Sequence, residues 1–132
     1  MSHFKQDTHE TLYNELKDLE AKIEAAGQNV HFSGANAAQK RAVYEDLKNK
    51  MLIQMFAEEA GNKDLKRTEA QRTATYRTAY ATQRLEWQLA ENEWKASTDY
   101  LKALLGNQIS TEVRLKILES DMRVASRGLH AA

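Results

Sequence analysis

No cysteine and no proline occur in this 132-residue chain, and glycine appears only five times. Without cysteine there is no disulfide, no thiolate metal site and no cysteine nucleophile, which suits a reducing compartment. Without proline, and with little glycine, the chain lacks the punctuation that ends helices and shapes turns, so long helices are expected. No apolar run approaches the roughly 20 residues that span a bilayer, and Met1 to Gln6 lack the apolar core of a signal peptide. The expectation is a cytoplasmic protein with no membrane partner. Charge of one sign is also missing: 19 basic and 19 acidic residues give a formal net charge of zero. A strong non-specific nucleic-acid binder usually carries a basic excess. The balance is nonetheless uneven. Residues 1–62 hold seven Lys/Arg against ten Asp/Glu, a net of −3, and residues 63–132 hold twelve against nine, a net of +3.

Signatures of catalysis are missing too. There is no phosphate-binding loop, dinucleotide fingerprint, HExxH or zinc-finger spacing, and no Gly-x-Ser-x-Gly elbow. His3, His9, His31 and His130 are scattered, without ligand spacing. The helical-bundle di-metal pattern needs a Glu followed three residues later by His, and no Glu here has one. The sequence therefore predicts a protein that is not an enzyme, with no cofactor and no metal.

What is present is helical periodicity. Leu12, Leu16, Leu19, Ile23 and Ala26 recur in four-three steps, predicting a helix over 8–26, with Asp7 and Glu10 as a capping box and Gly27 as its end. Residues 27–36 read as a loop, with Val30 and Phe32 tucked beneath it and Ser33-Gly34 as a turn. A second helix is predicted over 37–60, capped by Asn36 and Gln39. Tyr44, Leu47, Met51 and Met55 lie on one face, Val43 and Phe56 at its edges, and Ile53 marks a second buried face. A third runs over 68–105, with Thr68 and Gln71 as its capping box. A fourth spans 110–125, capped by Ser110 or Thr111, with Val113, Ile117, Leu118 and Met122 as its apolar face. Gly106-Asn107 either separates the last two helices or is merely a weak spot within one, since a single helical glycine costs only about 1 kcal/mol. Residues 126–132 are expected to fray. The fold class is all-α: one helical domain over 1–132, a long antiparallel helical hairpin or coiled-coil-like bundle of three to four helices.

The third helix carries the chain's most distinctive stripe. Tyr76, Tyr80, Gln83, Trp87, Ala90, Trp94, Ser97, Leu101 and Leu104 alternate by four and three. Large side chains (Tyr80, Trp87, Trp94, Leu101) alternate with small or polar ones (Gln83, Ala90, Ser97), which lets two helices interlock closely. A seam of this length needs a partner helix of similar length. Tyr76, Tyr80, Trp87, Ala90, Trp94, Leu101 and Leu104 are therefore candidates for helix packing within a hairpin, for an oligomer seam between copies of the chain, or for both. A stacking platform for bases is the competing reading of Trp87 and Trp94.

A basic segment precedes and enters that helix. Lys63, Lys66, Arg67, Arg72, Arg77 and Arg84 face only Asp64 and Glu69, a local charge of +4. Arg77 and Arg84 are seven residues apart and flank the Tyr76/Tyr80 stripe. Basic groups interleaved with aromatics can grip phosphates and stack bases, so these six residues are the candidate surface for nucleic acid or another acidic partner. The bland alternative is a solvated helix start whose charges pair with the acidic half of the chain. Glu58, Glu59, Glu86, Glu91 and Glu93 read mainly as solvated helix faces.

Residues 41–123 carry a recognisable run of features. These are Arg41 to Leu52, Arg67 to Tyr76 with Arg77 following, Leu85 to Ala90 around Trp87, Ser110 to Arg114, and Met122-Arg123. In this they resemble a group of short helical phage and prophage proteins encoded among recombination and single-strand-annealing genes. Gly106 and the first 36 residues depart from that pattern. The resemblance implies an accessory role near DNA recombination in a bacterial host, and supplies no active-site residues. Three functional expectations follow. The first is a self-associating accessory protein meeting single-stranded DNA or a recombination protein. The second is an inhibitor of a host defence nuclease, either anti-CRISPR-like or presenting Glu86, Glu91, Glu93 and Asp99 as a nucleic-acid mimic. The third is a structural scaffold or adaptor.

Overall fold

A computed structural model describes the backbone of residues 8–131 and the side chains as far as residue 128. It contains three helices: α1 (His9–Gly61), α2 (Glu69–Ala79) and α3 (Ala81–Ala131). No strand occurs among the described residues. The fold is the all-α helical hairpin that the periodicity predicts, with α1 and α3 packed against each other.

The chain forms two compact units. In the first, residues up to Asn29 meet those from Thr98 onward. Leu19 and Ala26 of α1 are buried with Leu104 of α3, and Ile23 and Leu101 complete the cluster. Glu15 meets Arg114 at 3.6 Å and His9 meets Glu119 at 3.5 Å, so the two segments run antiparallel. The second unit is Val30–Ser97. Here Tyr44, Met55 and Tyr76 are buried together, flanked by Met51, Leu52, Tyr80 and Trp87. Isolated helices of ordinary length are marginal in water, so burial of these faces is what sustains them.

Where the sequence predicts a loop over 27–36, α1 continues without interruption. The four-three row explains why. After Ala26 it passes to Val30, Ser33, Ala37, Lys40 and Tyr44, and each of these is at least half-buried. A continuous covered face outweighs the cost of about 1 kcal/mol for each of Gly27 and Gly34. Asn36 is consequently mid-helix and caps nothing, and Phe32 is 71% exposed rather than tucked into a core. Ile53, expected on a second buried face, is 70% exposed. The first cap is also displaced. Asp7 lies outside the described residues, and it is Thr8 and Thr11 that exchange reciprocal bonds. The Thr8 N–H donates to Thr11 Oγ1 at 2.9 Å and the Thr11 N–H to Thr8 Oγ1 at 3.1 Å.

The second half differs in three places. The helix predicted over 68–105 bends at Tyr80, whose φ of −115° and ψ of 31° separate α2 from α3. Just before it, the Thr75 and Thr78 hydroxyls donate to the Gln71 and Ala74 carbonyls at 2.9 and 2.8 Å, and such back-bonding bends helices. The capping box on Thr68 and Gln71 forms as predicted. Gly106 does not end α3. Thr111 is not a cap but a buried mid-helix residue, its hydroxyl donating to the Asn107 carbonyl at 2.9 Å. Past Gly106 the covered face is Gln108, Thr111, Leu115 and Leu118, leaving Val113, Ile117 and Met122 exposed. The segment expected to fray stays helical from 126 to Ala131; residue 132 and the side chain of His130 lie outside the described residues.

The glycines give a test of this packing. A Cβ built on Gly27 meets nothing within 4 Å, whereas one built on Gly34 lies 3.0 Å from Trp94 Nε1. Gly27→Ala should raise stability by up to about 1 kcal/mol. Gly34→Ala should gain less, because the indole must shift. Thermal unfolding followed by circular dichroism measures both, and equal gains would show that Trp94 is not seated on α1.

Candidate functional site

The six basic residues proposed as one surface divide by what they touch. The chain leaves α1 at Gly61 and turns through Asn62, whose side-chain carbonyl accepts the Asp64 N–H at 3.1 Å and whose backbone carbonyl accepts the Leu65 N–H at 3.1 Å. Two consecutive glutamates at the end of α1 then receive the connection. Glu59 Oε1 accepts the Arg67 backbone N–H at 2.7 Å and Arg72 Nη1 at 3.1 Å. Glu58 Oε2 accepts Arg67 Nη2 at 3.1 Å. Arg72 Nη1 also donates to the Arg67 carbonyl at 2.7 Å, and its guanidinium lies 4.6 Å from the centre of the Phe56 ring.

This is a brace across the corner. The Arg72–Glu59 pair is mostly removed from solvent, with side chains 20% and 12% exposed. Charge-assisted bonds of this kind are stronger than neutral ones, and shielding from water preserves them. Arg67 and Arg72 are thus occupied within the chain by the acidic residues that precede them. The four remaining basic residues are free of that brace: Lys63, Lys66 and Arg77 are exposed and Arg84 is half-buried. Arg77 borders a shallow depression with Glu69 and Thr73.

The aromatic stripe is mostly turned inward within each unit. Tyr76 and Ala90 are buried, as is Leu104, while Tyr80, Trp87 and Leu101 are half-buried. The Trp87 ring stacks on Tyr44 at 5.6 Å, with Arg41 at 5.6 Å from its centre, and Lys48 sits 5.4 Å from the centre of the Tyr76 ring. Trp94 is the exception, 42% exposed, its indole edge over Gly34. Beside it lies an open cleft of about 400 Å³ lined by Gly34, Ala38, Arg41, Ala42 and Glu91 among others. Among the acidic residues, Glu86 pairs with Lys40 at 3.7 Å, Glu91 is half-buried, and Glu93 and Asp99 are exposed. Lys50 Nζ bonds Asp46 Oδ2 at 2.9 Å, and this bond raises the lysine pKa above its ordinary value.

One surface was not apparent from the sequence. In the first unit, Leu105, Ile109, Val113, Ile117 and Val124 are 39%, 62%, 49%, 57% and 66% exposed. At about 3.6 residues per turn they form a row on the side of α3 roughly opposite its covered face. Its signal is the step of four from 105 to 117, hidden because the continuity of the helix through Gly106 is open in the sequence and Val113 and Ile117 read as core.

No group of three His, Asp or Glu able to hold a metal ion occurs among the described residues, and no described helix is long and apolar enough to cross a membrane. No protein family, curated protein or solved structure matches the chain.

The brace makes a direct prediction. Arg72→Ala removes the charged partner of Glu59 and leaves it only the Arg67 backbone N–H, which should cost about 1.5–3 kcal/mol, the range for losing a charged hydrogen bond. Arg77→Ala, on exposed surface, should stay within about 0.5 kcal/mol. Urea unfolding of the two variants checks this, and equal midpoints would contradict the brace.

Proposed function

We propose that this protein is a non-catalytic helical accessory protein of the phage kind that associates with itself and works beside DNA-recombination proteins in the cytoplasm of a bacterial host. The observation that carries self-association is the exposed apolar row on α3. Large aliphatic side chains in a continuous row on the outer side of a helix favour association, because their hydration is relieved only when something covers them. The Tyr/Trp stripe is already used in packing against α1 and α2, so the outer row takes over the role of seam between copies.

The recombination setting rests on the resemblance of residues 41–123 to proteins encoded among single-strand-annealing genes. Its physical support is narrower than the sequence alone suggested. Lys63, Lys66, Arg77 and Arg84 remain to meet an acidic partner, a modest set whose binding would be strongly salt-dependent. Nuclease inhibition is the second reading; of its four candidate carboxylates, Glu86 is paired with Lys40.

Light scattering of the full chain, with and without a short single-stranded oligonucleotide, tests both parts. A multimer is expected without DNA. With DNA, a mass gain is expected at low salt that fades at moderate salt and is lost in the double variant Lys63→Glu with Arg77→Glu. A monomer would overturn self-association. A multimer indifferent to DNA at low salt would remove nucleic acid as the partner.

A further inference from the structure

We infer that the outer row of α3 is the seam of an antiparallel homodimer centred on Val113, an inference that rests on the self-association reading above. A two-fold interface must be self-complementary: if one residue meets another across it, the reverse contact also exists. The three central members of the row satisfy this about Val113, while Leu105 and Val124 fall opposite Asp121 and Lys102. Ile109 and Ile117 lie four residues to either side, so in an antiparallel pair each Ile109 meets the other copy's Ile117 and Val113 meets itself. Further out, Gly106 and Ser120 lie seven residues to either side and would also face each other.

Gly106 supplies an independent reason. It sits within a continuous helix, where glycine is disfavoured by about 1 kcal/mol. A Cβ there would meet nothing within 4 Å, and the backbone has no positive φ, so neither packing nor geometry inside the chain requires glycine. On the helical wheel it falls in the middle of the exposed row, where lack of a side chain lets a second helix approach closely.

Charge agrees with the arrangement. Glu112 and Lys116 are both exposed and lie along one flank of the row. In an antiparallel pair the same flanks meet, and Glu112 of one copy falls within about two residues of the height of Lys116 of the other. Two symmetric opposite-charge pairs therefore bracket the centre, whereas in a parallel pair opposite flanks meet and Glu112 and Lys116 are not brought together. Such flanking charges set orientation more than strength. The row from Leu105 to Val124 is about 28 Å long at about 1.5 Å per residue. A single helix pair of that length is at the small end of stable interfaces, so dissociation on the order of micromolar is expected.

The natural absence of cysteine makes the test clean, because one introduced cysteine is the only thiol. Helices 8–10 Å apart, with Cα atoms about 2.3 Å from each axis, bring facing Cα atoms to about 4–5 Å, within disulfide reach. Val113→Cys should oxidise to a disulfide-linked dimer at least tenfold faster than Phe32→Cys, an exposed control, because pairing raises the local thiol concentration. Ile109→Cys alone should cross-link slowly, and a mixture of Ile109→Cys with Ile117→Cys quickly. Val113→Glu should halve the mass in solution while circular dichroism keeps the helical signal. Cross-linking of Val113→Cys no faster than the control, in a chain that still scatters as a multimer, would overturn this seam and leave self-association standing. Fast cross-linking of Ile109→Cys by itself would overturn the antiparallel register. A monomer at tens of micromolar would overturn the seam and self-association together.

Discussion

A helix of 53 residues persists in water only if one side of it is covered, and in this chain that cover is a row of side chains repeating by four and three. On α1 the row runs from Leu12 to Met55, and on α3 from Gln83 to Leu118. Leucine, tyrosine and methionine supply most of the bulk, but the row also passes through Ser33, Ala37, Ala90 and Thr111, where the two helices can come close. Every other feature depends on this constraint, because a residue on the row is committed to packing and a residue off it is left for solvent or for a partner.

The corner between α1 and α2 applies the same economy to charge. Glu58 and Glu59 meet Arg67 and Arg72, so two of the six basic residues of the segment are neutralised by the acidic residues just before it. Outside the brace remain four more dispersed basic residues, and in the first unit five apolar side chains in a row are exposed. That shift in proportion moves the functional reading from phosphate binding toward assembly between helices.

Several parts were legible from residues alone. The stripes Leu12 to Ala26 and Tyr44 to Met55 are where the periodicity places them, and the Thr68–Gln71 capping box forms. These depend on local spacing, which a helix converts directly into a face. The segment over 27–36 was misread because Gly27, Ser33 and Gly34 are turn residues locally. The row continuing through Val30, Ser33 and Ala37 was the stronger signal, but two of its members are small or polar and carry little weight in a hydrophobic pattern. At Gly106 the sequence leaves a break and a continuous helix both open, and without that choice the residues after 110 have no fixed phase relative to those before, which hid the outer row of α3.

Sequence by itself determined the helical class, the missing thiol chemistry and the Leu12–Ala26 and Tyr44–Met55 stretches of the covered face, because composition and periodicity act on neighbouring residues. Only the tertiary structure decided which of several rows faces inward. Val113 and Leu118 are equally apolar, yet one is left in solvent and the other is half-covered. The difference is set by the phase of a helix that runs unbroken from Ala81, and by the position of the helix packed against it. That is a relation between residues distant in the chain. The pairing of Arg72 with Glu59 is of the same kind: the charges are visible in sequence, but only the turn through Asn62 brings them together.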